Sequence, residues 1–388
     1  MWKLKRGLAL VRRLHYFVRG FEMAQSKVRY AVVGLGYIAQ AAVLPSFAHA
    51  RRNSSLHAIV SGSVEKLNEI GDKYRIPVRA TYDDYERVLQ EVDAVYICTP
   101  NSEHADYAVR AAEAGKHILC EKPLAVSQPE CERMIKAAKD NNVKIMTAYR
   151  LHFEPLFLEV MEIVKSGKIG EPRFFSSSFS MHARPGGIRT QRELGGGTLF
   201  DLGVYCINTA RLMFRAEPIE VIGRSIDGAR SNMPEIDEMT SGIMRFDGDR
   251  LATFTTSFNA NGVSDFRVVG TEGNIHAEPA YEYAEALGYT LTVGDKIRKK
   301  KGRRRDQFAA EIAYFSDCVM QGRDPEPSAE EGCWDVRVVR ALYQSASSGE
   351  VVELSHFGPE DPPSRRQAID MPPVLREPEL VAVEKPHD

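Results

Sequence analysis

Net charge is what this sequence has least of. Lysine and arginine number 51, aspartate and glutamate 53, a balance of −2 across 388 residues. Nucleic-acid binders usually carry a strong basic excess, so no nucleic-acid partner is expected. No apolar run approaches the roughly 18 residues of a membrane span. The six cysteines, Cys98, Cys120, Cys131, Cys206, Cys318 and Cys333, form no C-x-x-C pair. That argues against a zinc ribbon, a redox dithiol and a disulfide scaffold, and fits reduced thiols in a cytoplasmic protein. No metal ligand set and no internal repeat stand out. The opening MWKLKRGLALVRRLHYFVRGFE lacks the unbroken apolar core of a signal peptide, because Arg12, Arg13, His15 and Arg19 interrupt it. It reads either as an upstream start before Met23 or as a basic surface-binding helix.

What is present is ordinary for a globular chain: 43% hydrophobic and 27% charged residues. At about 150 residues per domain, two domains are expected. The first half alternates strand-like runs (Val28–Val33, Leu56–Val60, Ala94–Ile97, His117–Cys120, Lys144–Thr147) with helical patterns. Those helices are predicted over Tyr37–Ala48, Val64–Lys73, Ala105–Ala114 and Pro129–Asp140. Such alternation implies βαβ units and a parallel sheet. After Arg150 the character changes. A helix at Pro155–Lys165 leads to strand patterns at Arg173–Met181, Ile219–Arg224, Thr240–Phe246, Leu251–Phe258, Phe266–Gly270 and Gly273–Ala277. Short turns such as Asp247-Gly248-Asp249 suit antiparallel neighbours. Helices over Gln307–Gln321 and Ala329–Ser347 close the fold. The fold class is therefore α/β: a doubly wound parallel sheet, then an α/β domain with an open, mostly antiparallel sheet. From His356 onward seven prolines forbid regular structure, which leaves disorder or an extended arm on a neighbour.

Gly34-Leu35-Gly36-Tyr37-Ile38-Ala39 follows the first strand and opens a helix. This is G-x-G-x-x-A in the context of a dinucleotide site. Gly34 allows the tight turn, Gly36 lets pyrophosphate approach, and Ala39 permits close helix–strand packing. The N–H groups of the helix start, at Tyr37 and Ile38, face the phosphates. An NAD enzyme usually carries an acid at the tip of the second strand. Here that tip reads Ser61-Gly62-Ser63, with Lys66 one turn on. Hydroxyls and a lysine suit a 2′-phosphate, so NADP is expected, with NAD as the alternative. Ser61 and Ser63 could equally cap the next helix. Thr99-Pro100-Asn101 ends another strand beside the same crevice, and His104 follows as a cofactor contact or a plain helix-start residue.

Cys120-Glu121-Lys122-Pro123 also ends a buried strand at that crevice. A lysine there is costly without a task or a partner. Burial and a nearby nicotinium charge are expected to lower its pKa toward neutrality, as acid–base work requires. Glu121 would anchor the ribose or the lysine. Gly195-Gly196-Gly197 leads to Asp201 and Tyr205, four residues apart and so on one helix face. A lysine ammonium stabilises a tyrosine phenolate, and Asp201 can hold a sugar hydroxyl or orient the lysine.

These motifs in this order resemble the glucose–fructose oxidoreductase / inositol dehydrogenase / MocA family from about Lys27 to Phe357. The matching pieces are Gly34–Ala39, Glu121-Lys122-Pro123 and Gly195–Asn208. Val60–Lys66, Tyr149–Pro155 and Arg192–Gly197 look closest to the glucose–fructose oxidoreductase branch, which uses Tyr where many relatives place His. The resemblance implies a sugar or polyol substrate and hydride transfer to or from nicotinamide, with Lys122, Asp201 and Tyr205 as the catalytic group. It assigns Arg150, His152 and Arg192 to the substrate and adds Tyr82 to the cofactor set. Boundaries follow: a basic extension 1–26, an NADP-binding domain 27–150, a substrate and oligomerisation domain 151–355 and a Pro-rich tail 356–388. A homodimer or homotetramer in the cytoplasm is expected. Two other readings stay open: a glycoside-cleaving relative that uses bound dinucleotide redox-neutrally, and a non-catalytic NADP-binding regulator. The basic segment Lys296–Arg305 reads as a solvated loop, with attraction of an anionic sugar as the alternative.

Overall fold

The structure, a computed structural model, describes residues 27–355 and 362–386. The basic extension lies outside the described residues. The first domain runs β1 (Val28–Val33), α1 (residues 37–46), β2 (Ser54–Val60), α2 (Val64–Tyr74), β3 (Val78–Ala80), α3 (Tyr85–Leu89) and β4 (Ala94–Ile97). It continues with α4 (His104–Glu113), β5 (His117–Cys120), α5 (Gln128–Asp140) and β6 (Ile145–Thr147). Six parallel strands lie in the order β3-β2-β1-β4-β5-β6. This is the doubly wound arrangement, whose order reverses between β1 and β4 and opens a crevice at the strand ends. Val32, Val33, Ile59, Val60, Val95, Ile97 and Ile118 are all fully buried, as expected for strands covered on both faces. Register places Val33 beside both Val60 and Ile97, so Gly34, Ser61 and Cys98 leave the sheet together.

The second domain contains α6 (Pro155–Lys165), β7 (Pro172–His182), α7 (residues 199–214), β8 (Pro218–Gly228), β9 (Met233–Phe246), β10 (Arg250–Ser257), β11 (Asn259–Gly270) and β12 (Gly273–Ala277). Then come β13 (Gly288–Val293), β14 (Lys296–Lys301), α8 (Gln307–Gln321), α9 (Ala329–Ser348) and β15 (Val352–Glu353). Nine strands form one sheet in the order β14-β13-β12-β11-β7-β10-β9-β8-β15. Only β7 and β10 pair in parallel. Phe175, Phe179, Phe254 and Phe266 point inward to meet Leu199, Ile207 and Leu342 from the helices. The other face leaves Phe174, Ile243 and Leu251 exposed.

Three features depart from the sequence reading. The basic segment is not all loop: Lys296–Lys301 pairs with β13 as the edge strand β14. An edge strand tolerates lysine at every position, so charge hides its strand character. Helix α8, late in the chain, completes the first domain. Its Phe308, Ile312 and Phe315 pack with Val28, Tyr30 and Val32, and Ser316 Oγ lies 2.8 Å from the Tyr30 hydroxyl. Residues 362–386 of the tail run as an extended arm along this chain's own surface. Apart from a single turn at Arg365–Gln367 it is irregular. Ile369 N donates to Phe153 O, and the buried Gln40 amide both donates to Val381 O (3.0 Å) and accepts from Val381 N (2.8 Å). Arg184 N in the second domain then donates to Pro386 O.

Candidate active site

The cleft between the two domains has a volume of about 680 Å³ and opens over the ends of β1, β4 and β5. Two glycines build its nucleotide side for different reasons. Gly34 adopts φ +92°, and a Cβ there would lie 2.7 Å from the Cys98 carbonyl oxygen. Gly36 lines the cleft, and a Cβ there would meet nothing of the protein within 4 Å. The room it leaves is room for a ligand. Thr99, at the end of β4, also lines the cleft, and its hydroxyl is buried with no partner. An orphaned hydroxyl costs free energy that a ligand acceptor would recover. A glycine-lined turn that opens a helix and an orphan hydroxyl fit a dinucleotide.

Asp201 and Tyr205 project from the start of α7, which widens into a π-turn over Leu199–Gly203. Lys122 comes from the end of β5, followed by a cis Pro123. Its Nζ donates to Asp201 Oδ1 at 2.9 Å and to the Asp201 carbonyl at 3.0 Å. The same ammonium sits 4.9 Å from the Tyr205 ring centre. Arg189 Nε donates to the other Asp201 oxygen at 2.5 Å. Arg150, buried beneath, places its guanidinium carbon 5.1 Å from the Tyr205 ring and is held by Gln307 and the Tyr281 carbonyl. Two residues 83 positions apart in sequence, Lys122 and Tyr205, thus share one pocket wall.

The electrostatics reverse one expectation. Burial alone would lower the Lys122 pKa, but Asp201, Tyr205 and Glu121 outweigh it, and the pKa stands above the ordinary lysine value. Burial likewise works against the Asp201 carboxylate. Arg189 and Lys122 overcome that, holding its carboxyl well below the ordinary range. The lysine is a firmly charged ammonium bound to a firmly charged carboxylate.

Gly36, Tyr37, Ile38, Thr99, Asn101, His104, Glu121, Lys122, Arg150, Asp201 and Tyr205 all line the cleft. His104 is spent on structure: Nδ1 lies 2.9 Å from Pro123 O and Nε2 3.1 Å from Thr99 O, tying two cleft loops together. Asn101 crosses to the second domain, donating to Gly195 O at 2.8 Å. Ser61, Ser63, Lys66 and Tyr82 form a separate group at the tip of β2. Ser63 Oγ caps α2 by accepting from Lys66 N, Ser61 Oγ accepts from Ser63 N, and the Tyr82 ring lies against Gly62. Gly34 and Pro100 shape the turns behind the lining.

Two residues expected at the substrate stand outside the cleft. His152 is fully buried away from the cleft, its Nδ1 3.0 Å from Glu326 and its Nε2 3.2 Å from Asn208. Burial disfavours its charge, but Glu331 and Glu326 push its pKa up to about 9. In the turn Arg150–Phe153 the alternate residues Arg150 and His152 part, one to the cleft and one to this acidic network. Arg192 opens a 3-10 turn (Arg192–Leu194), and its guanidinium donates to Glu235 O, outside the cleft. The arginine beside Asp201 is Arg189, from the preceding turn Ile188–Thr190. Nothing in the residue pattern separates these two arginines, since both lie in single turns too short to show a period. Phe308 also lines the cleft, as do Tyr281 and Tyr283, which carried no sequence signal.

Residues 28–149 match the oxidoreductase family GFO/IDH/MocA, NAD-binding Rossmann fold, and residues 157–276 match the GFO/IDH/MocA C-terminal domain. A D-xylose 1-dehydrogenase [NADP(+)] of Haloarcula marismortui is 30% identical over 338 residues, 84% of this chain and 93% of that protein. The crystal structure of an aldose-aldose oxidoreductase from Caulobacter crescentus complexed with glycerol superposes with a TM-score of 0.80 at 33% identity, covering 84% of this chain and all of that one. A 3-ketoreductase from Actinomadura kijaniata, in complex with NADP and TDP-benzene, gives 0.76 at 26% identity, over 82% of this chain and 98% of that one. With both halves of the chain matched and the strand order and cleft in agreement, this protein belongs to the GFO/IDH/MocA family of oxidoreductases.

Proposed function

We propose that this protein is an NADP(H)-dependent oxidoreductase acting on a CH–OH group, or the corresponding carbonyl, of a sugar or polyol. The single observation that carries this reading is the convergence of Lys122, Asp201 and Tyr205 on a cleft that the Gly36 turn also lines. Relatives that cover most of the chain carry names for sugar oxidation and for NADP, which supports it.

Nicotinamide, when bound, supplies or takes up the hydride. The chain does the rest. Gly36 and the start of α1 would hold the pyrophosphate, and the Thr99 hydroxyl would find an acceptor on the bound dinucleotide. Ser61, Ser63 and Lys66 offer hydroxyls and a cation to the 2′-phosphate, and no acid at the strand tip repels it. Tyr205 O exchanges a proton with the substrate oxygen. Lys122 and Arg150, near its ring, balance the charge that develops there. Asp201 fixes the Lys122 ammonium, and Arg189 fixes Asp201. No helix among the described residues is long and apolar enough to cross a membrane. A cytoplasmic setting completes the proposal, as does a homo-oligomer built on the exposed sheet face bearing Phe174, Ile243 and Leu251.

The test is a panel of aldoses and polyols with NADP+, followed at the reduced-nicotinamide absorbance, together with dissociation constants for NADP+ and NAD+. The reading expects turnover of at least one sugar and tighter NADP+ binding, with Lys66→Ala weakening NADP+ selectively. Tighter NAD+ binding would remove the cofactor assignment, and inertness to the whole panel would remove the substrate class.

A further inference from the structure

Behind Lys122 lies a buried acid pair that the chemistry above does not use. Tyr96 of β4 and Glu311 of α8 are both fully buried, and Glu121 is nearly so. The Tyr96 hydroxyl stands 3.0 Å from Glu121 Oε1 and 2.6 Å from Glu311 Oε1. A phenol has one proton to give, so it can donate to only one of these oxygens. For both contacts to be hydrogen bonds, the other carboxyl must donate to the phenol oxygen. One of the two acids therefore carries a proton.

The surroundings select which one. Glu121 borders the cleft, next to the Lys122 ammonium, and its Oε2 accepts from Lys122 N at 3.3 Å. Burial raises the pKa of both carboxyls, but Lys122 is the first group to counter it at Glu121, whereas Glu311 has only the Tyr96 contact and the more weakly acting Arg150. Glu311 Oε2 is buried with no hydrogen-bond partner, and a charged oxygen in that state is far more costly than a neutral one. Burial, and then the neighbouring Glu121, push the Glu311 carboxyl well above its ordinary range. The proton accounting is complete: Glu311 donates its acid proton to Tyr96 O, and Tyr96 donates its own to Glu121.

We infer that Glu311 is a neutral acid which, through Tyr96, keeps Glu121 ionised at the wall of the cofactor cleft, where its negative charge favours the oxidised nicotinamide over the reduced one. Glu311 and Tyr96 are then positioning residues. The inference rests on the dinucleotide reading above, and it concerns the balance between two redox forms rather than binding as such. Oxidised nicotinamide carries one more positive charge than the reduced ring, so a carboxylate lining its cleft discriminates between them.

The test reads binding, not turnover. Dissociation constants for NADP+ and NADPH are measured by calorimetry on the full chain and on three near-isosteric variants. Glu121→Gln removes the charge and is expected to weaken NADP+ relative to NADPH by about tenfold. Tyr96→Phe removes the proton that holds Glu121 ionised and is expected to act in the same direction, by severalfold. Glu311→Gln replaces one neutral donor by another and is expected to keep the ratio within about twofold, while abolishing a carboxylic-acid infrared band that Glu121→Gln retains. The inference falls if Glu311→Gln shifts the ratio as far as Glu121→Gln, or if the acid band survives it. It also falls if Glu121→Gln and Tyr96→Phe bind both forms with the unaltered ratio. Failure of the unmodified protein to bind either form overturns the dinucleotide reading as well, so the two failures are distinguishable.

Discussion

Replacing Asp201 by asparagine isolates what holds the catalytic lysine charged. The Lys122 and Asp201 side chains are each 13% exposed and meet at 2.9 Å. At an effective dielectric of about 20, unit charges that close attract by roughly 6 kcal/mol. Relaxation and water reduce this to the one to three pKa units usual for adjacent opposite charges. Burial opposes the ammonium and Asp201 is the first of the groups that counter it. Removing that carboxylate lets burial win, so the Lys122 pKa falls. In the pH profile of kcat/KM the alkaline limb, where the ammonium is lost, is therefore expected to move down by about one to three units in Asp201→Asn. The assay is initial-rate kinetics with NADP+ and the best aldose from about pH 6 to about 11; the native limb stands at or beyond the top of this range, and the variant's limb is expected inside it. Lys122→Met serves as the control that abolishes the limb. An alkaline limb within half a unit of the unmodified enzyme would refute the argument, because Asp201 would then not govern the charge on Lys122.

Three further outcomes follow from the same geometry. Tyr205→Phe removes the exchanging proton and should cut kcat by on the order of 10²–10⁴; a loss below tenfold would transfer that role to another group. The His152 imidazole titrates near 9 in the fold against about 6.5 unfolded. Its stabilisation is therefore complete below the unfolded value and drains away as pH rises through 9, by roughly 3 kcal/mol. Melting temperatures between those limits should fall in the native protein and flatten in His152→Gln, and parallel curves would contradict this. Deleting residues 362–388 strips Val381 from the buried Gln40 amide and should lower the unfolding free energy by roughly 1–3 kcal/mol or more. An unmoved urea midpoint would mean the arm adds nothing.

The parallel sheet was legible because its code is local. Strands such as Ala94–Ile97 are short apolar runs between helical patterns, and the G-x-G-x-x-A turn announces itself through residues that only a ligand approach requires. Glu121-Lys122 and Asp201…Tyr205 were visible because a charge at the end of a buried strand, and two functional groups one helical turn apart, are unusual within their own segments. Strand β14 was hidden because an edge strand need not alternate. Strand β3, with three residues, is too short to show a period.

What the linear order determined by itself is the fold class, the cofactor turn and the candidate reacting groups, since each depends on neighbours within about one helical turn or one strand. Tertiary packing decided everything that depends on side-chain direction over long separations. It set Arg189 beside Asp201 and Arg192 outside the cleft, and turned His152 away while Arg150 entered it. It carried α8 across to the first sheet and laid the proline-rich arm on the chain's own surface. It also reversed the expected pKa shift of Lys122. Burial can be guessed from a sequence, but the partner that compensates it is 79 residues away, and only the folded chain brings that carboxylate within 3 Å.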